Sequence, residues 1–101
     1  MPTPSAPILL MVRLKSSLPM EELETRYRKR MPEFRALPGL LQKYYLRDPA
    51  SGELAGLYLW DSQESLDAYL DSELCKTIGK SYEAVGPPTI ETLAVMDTLR
   101  P

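Results

Sequence analysis

The chain has 101 residues, 12 Lys and Arg against 14 Asp and Glu, one cysteine and no histidine. That length predicts a single core, because two cores would each be too small to offset chain entropy. The missing histidine excludes Ser-His-Asp and Cys-His catalysis, His-ligated zinc and His-ligated haem.

Residues 1–7 carry three prolines and no apolar pattern, and are expected to form a flexible tail ahead of one domain over 8–101. Ile8 to Lys15 then reads as a strand, apolar on both faces through Val12. Ser16 and Ser17 offer caps for a helix with Pro19 near its first turn and Glu21 and Glu22 at the positive end of its dipole. Met20, Leu23, Tyr27, Met31 and Phe34 share one helical face, with Glu22, Arg26, Lys29 and Glu33 opposite. Pro32 is expected to kink or end this helix near Met31, since it lacks a backbone donor and crowds the preceding turn.

Leu40 to Arg47 and Glu53 to Trp60 read as two strands joined by the turn-rich Asp48-Pro49-Ala50-Ser51-Gly52, an antiparallel hairpin. Asp61 with Glu64 forms a capping-box pattern before a second helix bearing Leu66, Tyr69 and Leu70. A break at Asp71-Ser72 re-caps a stretch with Leu74, Cys75 and Ile78, and Gly79 suits its end. After Pro87-Pro88 a last strand is expected from about Thr89 to Leu99.

The order βαββαβ is the ferredoxin-like α+β plan, an antiparallel sheet with both helices on one face. Ile8–Val12, Leu54–Trp60 and Leu93–Met96 are nevertheless apolar on both sides, the pattern of doubly covered strands. A second copy of the chain, joined sheet to sheet, is the simplest cover, so a homodimer is expected. A net charge of −2 offers no footprint for a phosphate backbone, so no nucleic-acid partner is expected. No apolar run approaches the ~20 residues of a membrane span, and no signal-peptide pattern opens the chain. Together with the lone Cys75, this makes the cytoplasm the expected location.

Pro38-Gly39-Leu40-Leu41-Gln42-Lys43-Tyr44-Tyr45 resembles the Pro-Gly-Leu-x-x-Lys-x-Trp strand of the small YdhR-like monooxygenases. Ser51-Gly52-Glu53, Gly56-Leu57-Tyr58-Leu59-Trp60, Ser62-Gln63-Glu64 and Ala68-Tyr69-Leu70 extend the likeness. Tyr45 stands where that family usually has Trp, and Ala55 where it often has Gly. The resemblance implies the dimeric α+β barrel superfamily, which also holds the antibiotic-biosynthesis monooxygenases. Superfamily members that degrade haem use histidine, which this chain lacks.

Lys43 is the most informative charge, a lysine inside a strand between Leu41 and Tyr45 on one face. It is either a snorkelling residue with its stem on the sheet, or a pocket cation that stabilises a phenolate or enolate. Tyr44, Tyr45, Tyr58 and Trp60 cluster on the hairpin, as cross-strand packing or as a wall for a flat aromatic ligand. Two registers are open: one puts Lys43 and Tyr45 with Tyr58 and Trp60, the other puts Gln42 and Tyr44 there. Gly56 leaves a gap that a tyrosine ring would fill. Tyr27 is expected in the core with its hydroxyl at a cavity rim, and Met20 and Met31 as gap fillers. Arg26 and Arg28 pair with Glu22 and Glu24 as surface i, i+4 neighbours. Arg13 is an interface or pocket charge, and Cys75 has no base beside it in sequence.

The expected site is therefore Lys43 as the catalytic element and Tyr27, Tyr45, Tyr58 and Trp60 as the substrate pocket, with no metal and no cofactor. The corresponding function is a cofactor-independent monooxygenase acting on a small aromatic or quinol-like compound. The alternative is a dimeric barrel that binds a small aromatic or apolar ligand without turnover.

Overall fold

A computed structural model describes residues 7–100. The tail expected over residues 1–7 lies, except for Pro7, outside the described residues. Four strands, β1 (Ile8–Leu14), β2 (Leu40–Arg47), β3 (Leu54–Trp60) and β4 (Thr89–Ala94), form one antiparallel sheet in the order β2-β3-β1-β4. The helices are α1 (Met20–Arg35), α2 (Gln63–Leu70) and the single turns α3 (Glu73–Lys76) and α4 (Ile78–Ser81). This is the ferredoxin-like α+β fold, with its second helical segment broken into three.

Alternation on the strands decides which side is covered. Leu10, Val12 and Leu14 on β1 and Leu54, Tyr58 and Trp60 on β3 join Leu23 and Phe34 of α1 and Leu66 and Tyr69 of α2 in one core. The opposite parity, with Leu9, Met11, Leu57 and Leu59, is only partly covered, and Tyr44 and Leu93 on that face are each 53% exposed. All of β4 is exposed.

Five boundaries differ from expectation. Helix α1 runs through Pro32 to Arg35 rather than stopping near Met31. One proline removes one bond, to the carbonyl of the exposed Arg28, and helical continuation is what carries Phe34 into the core. The N-cap of α1 is Pro19, without a side-chain bond, because Ser16 is occupied elsewhere. Its hydroxyl donates to the Tyr82 carbonyl and accepts from the Leu18 N–H. Ser62, not Asp61, caps α2 by accepting from the Ser65 N–H, while the Asp61 carboxylate accepts from both serine hydroxyls. Ser72 caps α3 as expected, but Gly79 falls inside α4 rather than after it.

Strand β4 ends at Ala94 instead of near Leu99 because its only neighbour runs out. Ala94 pairs with Ile8, the first residue of β1, and the Val95 N–H takes the Pro7 carbonyl.

Candidate functional site

The hairpin register puts Lys43 opposite Tyr58 and Tyr45 opposite Gly56. Of the two possibilities, the sheet thus takes the one in which Lys43, Tyr45, Tyr58 and Trp60 share the helix-covered face, and Tyr44 points away. A bulge between Leu40 and Gln42 shifts parity, so Leu40 also faces inward opposite Trp60. The glycine is needed here: a Cβ on Gly56 would lie 2.9 Å from the Tyr58 ring and 3.5 Å from Lys43 Cε.

Lys43 rises from this face into a box of aromatic rings. Its Nζ stands 3.4 Å from the Phe34 ring centroid and 4.4 Å from those of Tyr45 and Tyr58. Among the described residues the ammonium has no carboxylate within ion-pair distance. Burial, and then the positive charge of Arg30, lower its pKa from 10.5 to about 7. The three ring faces act in the opposite sense, since they favour the cation. Lys43 is thus a desolvated amine balanced between charged and neutral states near neutral pH.

Two spaces adjoin it. A cleft of about 410 Å³ opens between the end of α1 and β2, lined by Met31, Phe34, Arg35, Leu40, Leu41, Gln42, Lys43 and Tyr45. On the other side lies a void of about 20 Å³, bordered by Lys43, Gly56 and Tyr58 with Val12, Ile78 and Tyr82. Tyr27 stacks on Tyr45 with centroids 4.4 Å apart and planes 16° apart, so the two rings form one wall. Burial raises the Tyr45 hydroxyl pKa, with Tyr27 adding to the effect and Arg35 and Arg30 opposing it.

Tyr58 and Trp60 belong to a different neighbourhood. Tyr58 touches Lys43 with its ring, but its hydroxyl accepts from Tyr69 at 3.3 Å in the core. Burial holds the Tyr58 and Tyr69 hydroxyls far above the usual tyrosine range, and pushes Tyr82 up to about 12. Trp60 is 1% exposed, lies parallel to Tyr58 with centroids 6.4 Å apart, and does not line the Lys43 cleft. It borders a separate groove of about 270 Å³ with Leu37, Glu64, Ser65 and Tyr69. Its Nε1 is buried with no acceptor among the described residues. Of the expected site residues, Lys43 and Tyr45 line one cleft, Tyr27 stacks on Tyr45 behind it, and Trp60 borders a separate groove.

Phe34, Arg30 and Arg35 complete the site and were not singled out for it by sequence. Arg30 lies three residues after Tyr27 and four before Phe34, so helical spacing alone puts it on the inner face. Its guanidinium donates to the Leu74 carbonyl at 2.8 Å and Thr77 Oγ1 at 3.2 Å, and stands 5.8 Å over the Phe34 ring. Arg26 is more than a surface pair: besides Glu22 it reaches Glu83 and the Ser81 carbonyl, each at 3.0 Å. Both arginines tie α1 to the α3–α4 turns. Arg28 keeps only the exposed contact with Glu24, and Arg13 pairs with Asp48 at 3.2 Å on the uncovered face.

Among the described residues no three His, Cys, Asp or Glu side chains come together as metal ligands. Burial raises the Cys75 thiol pKa, which disfavours the thiolate. No helix among the described residues is long and apolar enough to cross a membrane.

Solved structures share this architecture. SnoaB, a cofactor-independent oxygenase from Streptomyces nogalater, superposes with a TM-score of 0.75 at 14% identity, over 94% of this chain and 98% of that one. A putative antibiotic biosynthesis monooxygenase from Caulobacter crescentus CB15 gives 0.74 at 21% identity, over 92% of each chain. NE2512, a protein of unknown function from Nitrosomonas europaea, gives 0.74 at 17% identity over 98% of each. At such identities the likeness speaks for the fold. No match is found among curated proteins. The sequence itself matches one family model, described as "Putative mono-oxygenase ydhR", over residues 9–92, and the chain belongs to that family.

Proposed function

We propose that the protein is a cofactor-independent monooxygenase whose substrate is a small phenolic or quinol-like aromatic. The observation that carries this reading is the desolvated Lys43 amine, caged by Phe34, Tyr45 and Tyr58 at the inner end of an open cleft. Membership of a mono-oxygenase family and a fold shared with an oxygenase that needs no cofactor support it.

With its pKa near 7, Lys43 takes the phenol proton in its neutral form. The resulting ammonium then faces the phenolate it has made, in a site where water does not dilute the attraction. The electron-rich phenolate passes one electron to dioxygen, and the radical pair joins at a ring carbon as a peroxide. Loss of water leaves a quinone. One oxygen atom enters the product and the other leaves as water, so a phenol bearing a ring C–H plus dioxygen gives a quinone plus water, and no external reductant is consumed.

Oxygen uptake with a panel of naphthols and quinols, combined with ¹⁸O₂ labelling, tests this. One labelled atom should enter the product, and Lys43→Met should lower kcat by about 10²–10⁴, the range of general acid–base catalysis. Full activity in that variant, or no uptake with any member of the panel, overturns the reading. Ligand binding without oxygen uptake would favour a non-catalytic carrier.

We also propose that two copies pair through the uncovered sheet face. Leu9, Met11, Leu57 and Leu59 lie there half-buried, beside the exposed Leu93. An obligate contact of this kind buries on the order of 2,000 Å² or more. Leu93→Asp should yield monomer or aggregate in sedimentation, and wild type sedimenting as a folded monomer at micromolar concentration would refute the pairing. The single free cysteine fits a reducing compartment, and the cytoplasm is the location we propose.

A further inference from the structure

The polar groups facing the Lys43 cleft all offer hydrogen-bond donors. Arg35 closes α1, is exposed, and forms no ion pair among the described residues, its side-chain contact being a 4.0 Å approach to Met31 Sδ. Lys43 supplies an ammonium, and Arg30 adds positive potential from behind it. Among the described residues no acidic side chain lines the space.

Arg13, Arg26, Arg28 and Lys76 each have a carboxylate partner, whereas Lys43 and Arg35 have none among the described residues and line one space together. The overall charge is slightly negative, so this pairing of two cations makes the cleft a locally positive pocket. Cations left unpaired beside apolar walls repel one another, and a bound anion relieves that repulsion. The two lining cations differ in burial, Lys43 mostly buried and Arg35 exposed, and share the cleft with the apolar or aromatic Phe34, Tyr45, Met31 and Leu40. The planar guanidinium fork suits a carboxylate, which it can hold through two parallel hydrogen bonds.

We propose that the cleft selects aromatic acids: the ring lies against Phe34 and Tyr45, the ring hydroxyl meets Lys43, and a carboxylate on the far end of the ring binds Arg35. This rests on the aromatic-pocket reading above and names its substrate class, with Arg35 as the specificity-determining residue.

Fluorescence titration of the purified full chain with 2-naphthol and 6-hydroxy-2-naphthoate isolates the carboxylate, because the two probes share ring and hydroxyl. Wild type should bind the naphthoate about tenfold more tightly or better, as for a charge-assisted hydrogen bond. Arg35→Gln should bring the two affinities within about twofold, chiefly by weakening the naphthoate; Arg35→Lys should keep part of the preference. Raising salt should narrow the wild-type difference through screening. Because Arg35 is exposed at a helix end, circular dichroism should show the variants folded. Equal wild-type affinities overturn the proposal but leave an aromatic pocket standing, as does a preference that survives Arg35→Gln. Binding of neither probe overturns the pocket reading along with it.

Discussion

Lys43 and Trp60 project from the same face of one hairpin, yet they end in opposite surroundings. Under α1, Lys43 and Tyr45 meet Phe34, Tyr27 and Met31, and space remains beside them. Under α2, Trp60 meets Tyr58, Tyr69 and the core around Leu66, and Trp60, Tyr69, Leu10 and Leu66 are the largest fully buried side chains. Both regions are rich in aromatic rings, so aromatic content does not separate site from core. What separates them is the covering helix. Helix α1 brings Arg30 and Arg35, long cations that cannot fill an apolar gap, whereas α2 brings Leu66 and Tyr69, which can. Of the two spaces, the cleft under the charged cover is the larger, about 410 Å³ against about 270 Å³ beside Trp60.

The largest expected effect is on the filled side. Trp60→Ala should cost about 3–5 kcal/mol in urea denaturation, the range for emptying a buried aromatic site. A cost below about 1 kcal/mol would mean that the α2 side is as loosely filled as the cleft, and the contrast would disappear. The next effect has the opposite sign. Lys43 holds its proton less firmly folded than unfolded, so between about pH 7 and its ordinary 10.5 the unfolded chain binds more protons and stability rises with pH. Lys43→Met removes the buried charge and should be more stable than wild type by on the order of 2–4 kcal/mol at pH 6. That gap should close as pH climbs from 7 toward 10.5. A gap that does not vary with pH, followed by chemical denaturation, would show that the amine is fully solvated. The smallest effect tests whether polarity matters on the filled side at all. Tyr69→Phe deletes the hydroxyl donated to Tyr58 and should cost about 0.5–1.5 kcal/mol, the net worth of a neutral hydrogen bond. A loss above 3 kcal/mol would rank that bond above packing.

Much of the fold is legible in the residues. Short apolar runs mark β1 and β3, the 3.6-residue stripe marks α1, and Asp48 to Gly52 punctuates the hairpin. The pocket was legible only in part. Hairpin register is set where Arg47 pairs with Leu54 across the turn, a backbone geometry that composition does not specify, and the bulge at Leu40–Gln42 that turns Leu40 inward has no composition of its own. Trp60 shares parity with Lys43 yet borders another groove, because shared parity does not mean shared location: four residues of strand separate it from Gly56, about 13 Å. Arg30 was missed because a stripe read by hydropathy skips arginine even where its spacing is right. Pro32 misled for a related reason, since a local penalty is outweighed when the turn beyond it carries Phe34 into the core.

The exposure of β4 bears on how the molecule opens. Among the described residues this strand pairs only with β1, is exposed along its whole length, and contributes no side chain to the Lys43 cleft. Its amides should therefore exchange with solvent through a local detachment far cheaper than global unfolding. Such an opening leaves β2, β3 and α1 around the ligand space undisturbed, so the frayed edge and the binding region act as separate cooperative units. Seating a second copy against the open side of the sheet would change that. Exchange at β4 would then slow as protein concentration rises, while exchange around Lys43 would respond to ligand alone.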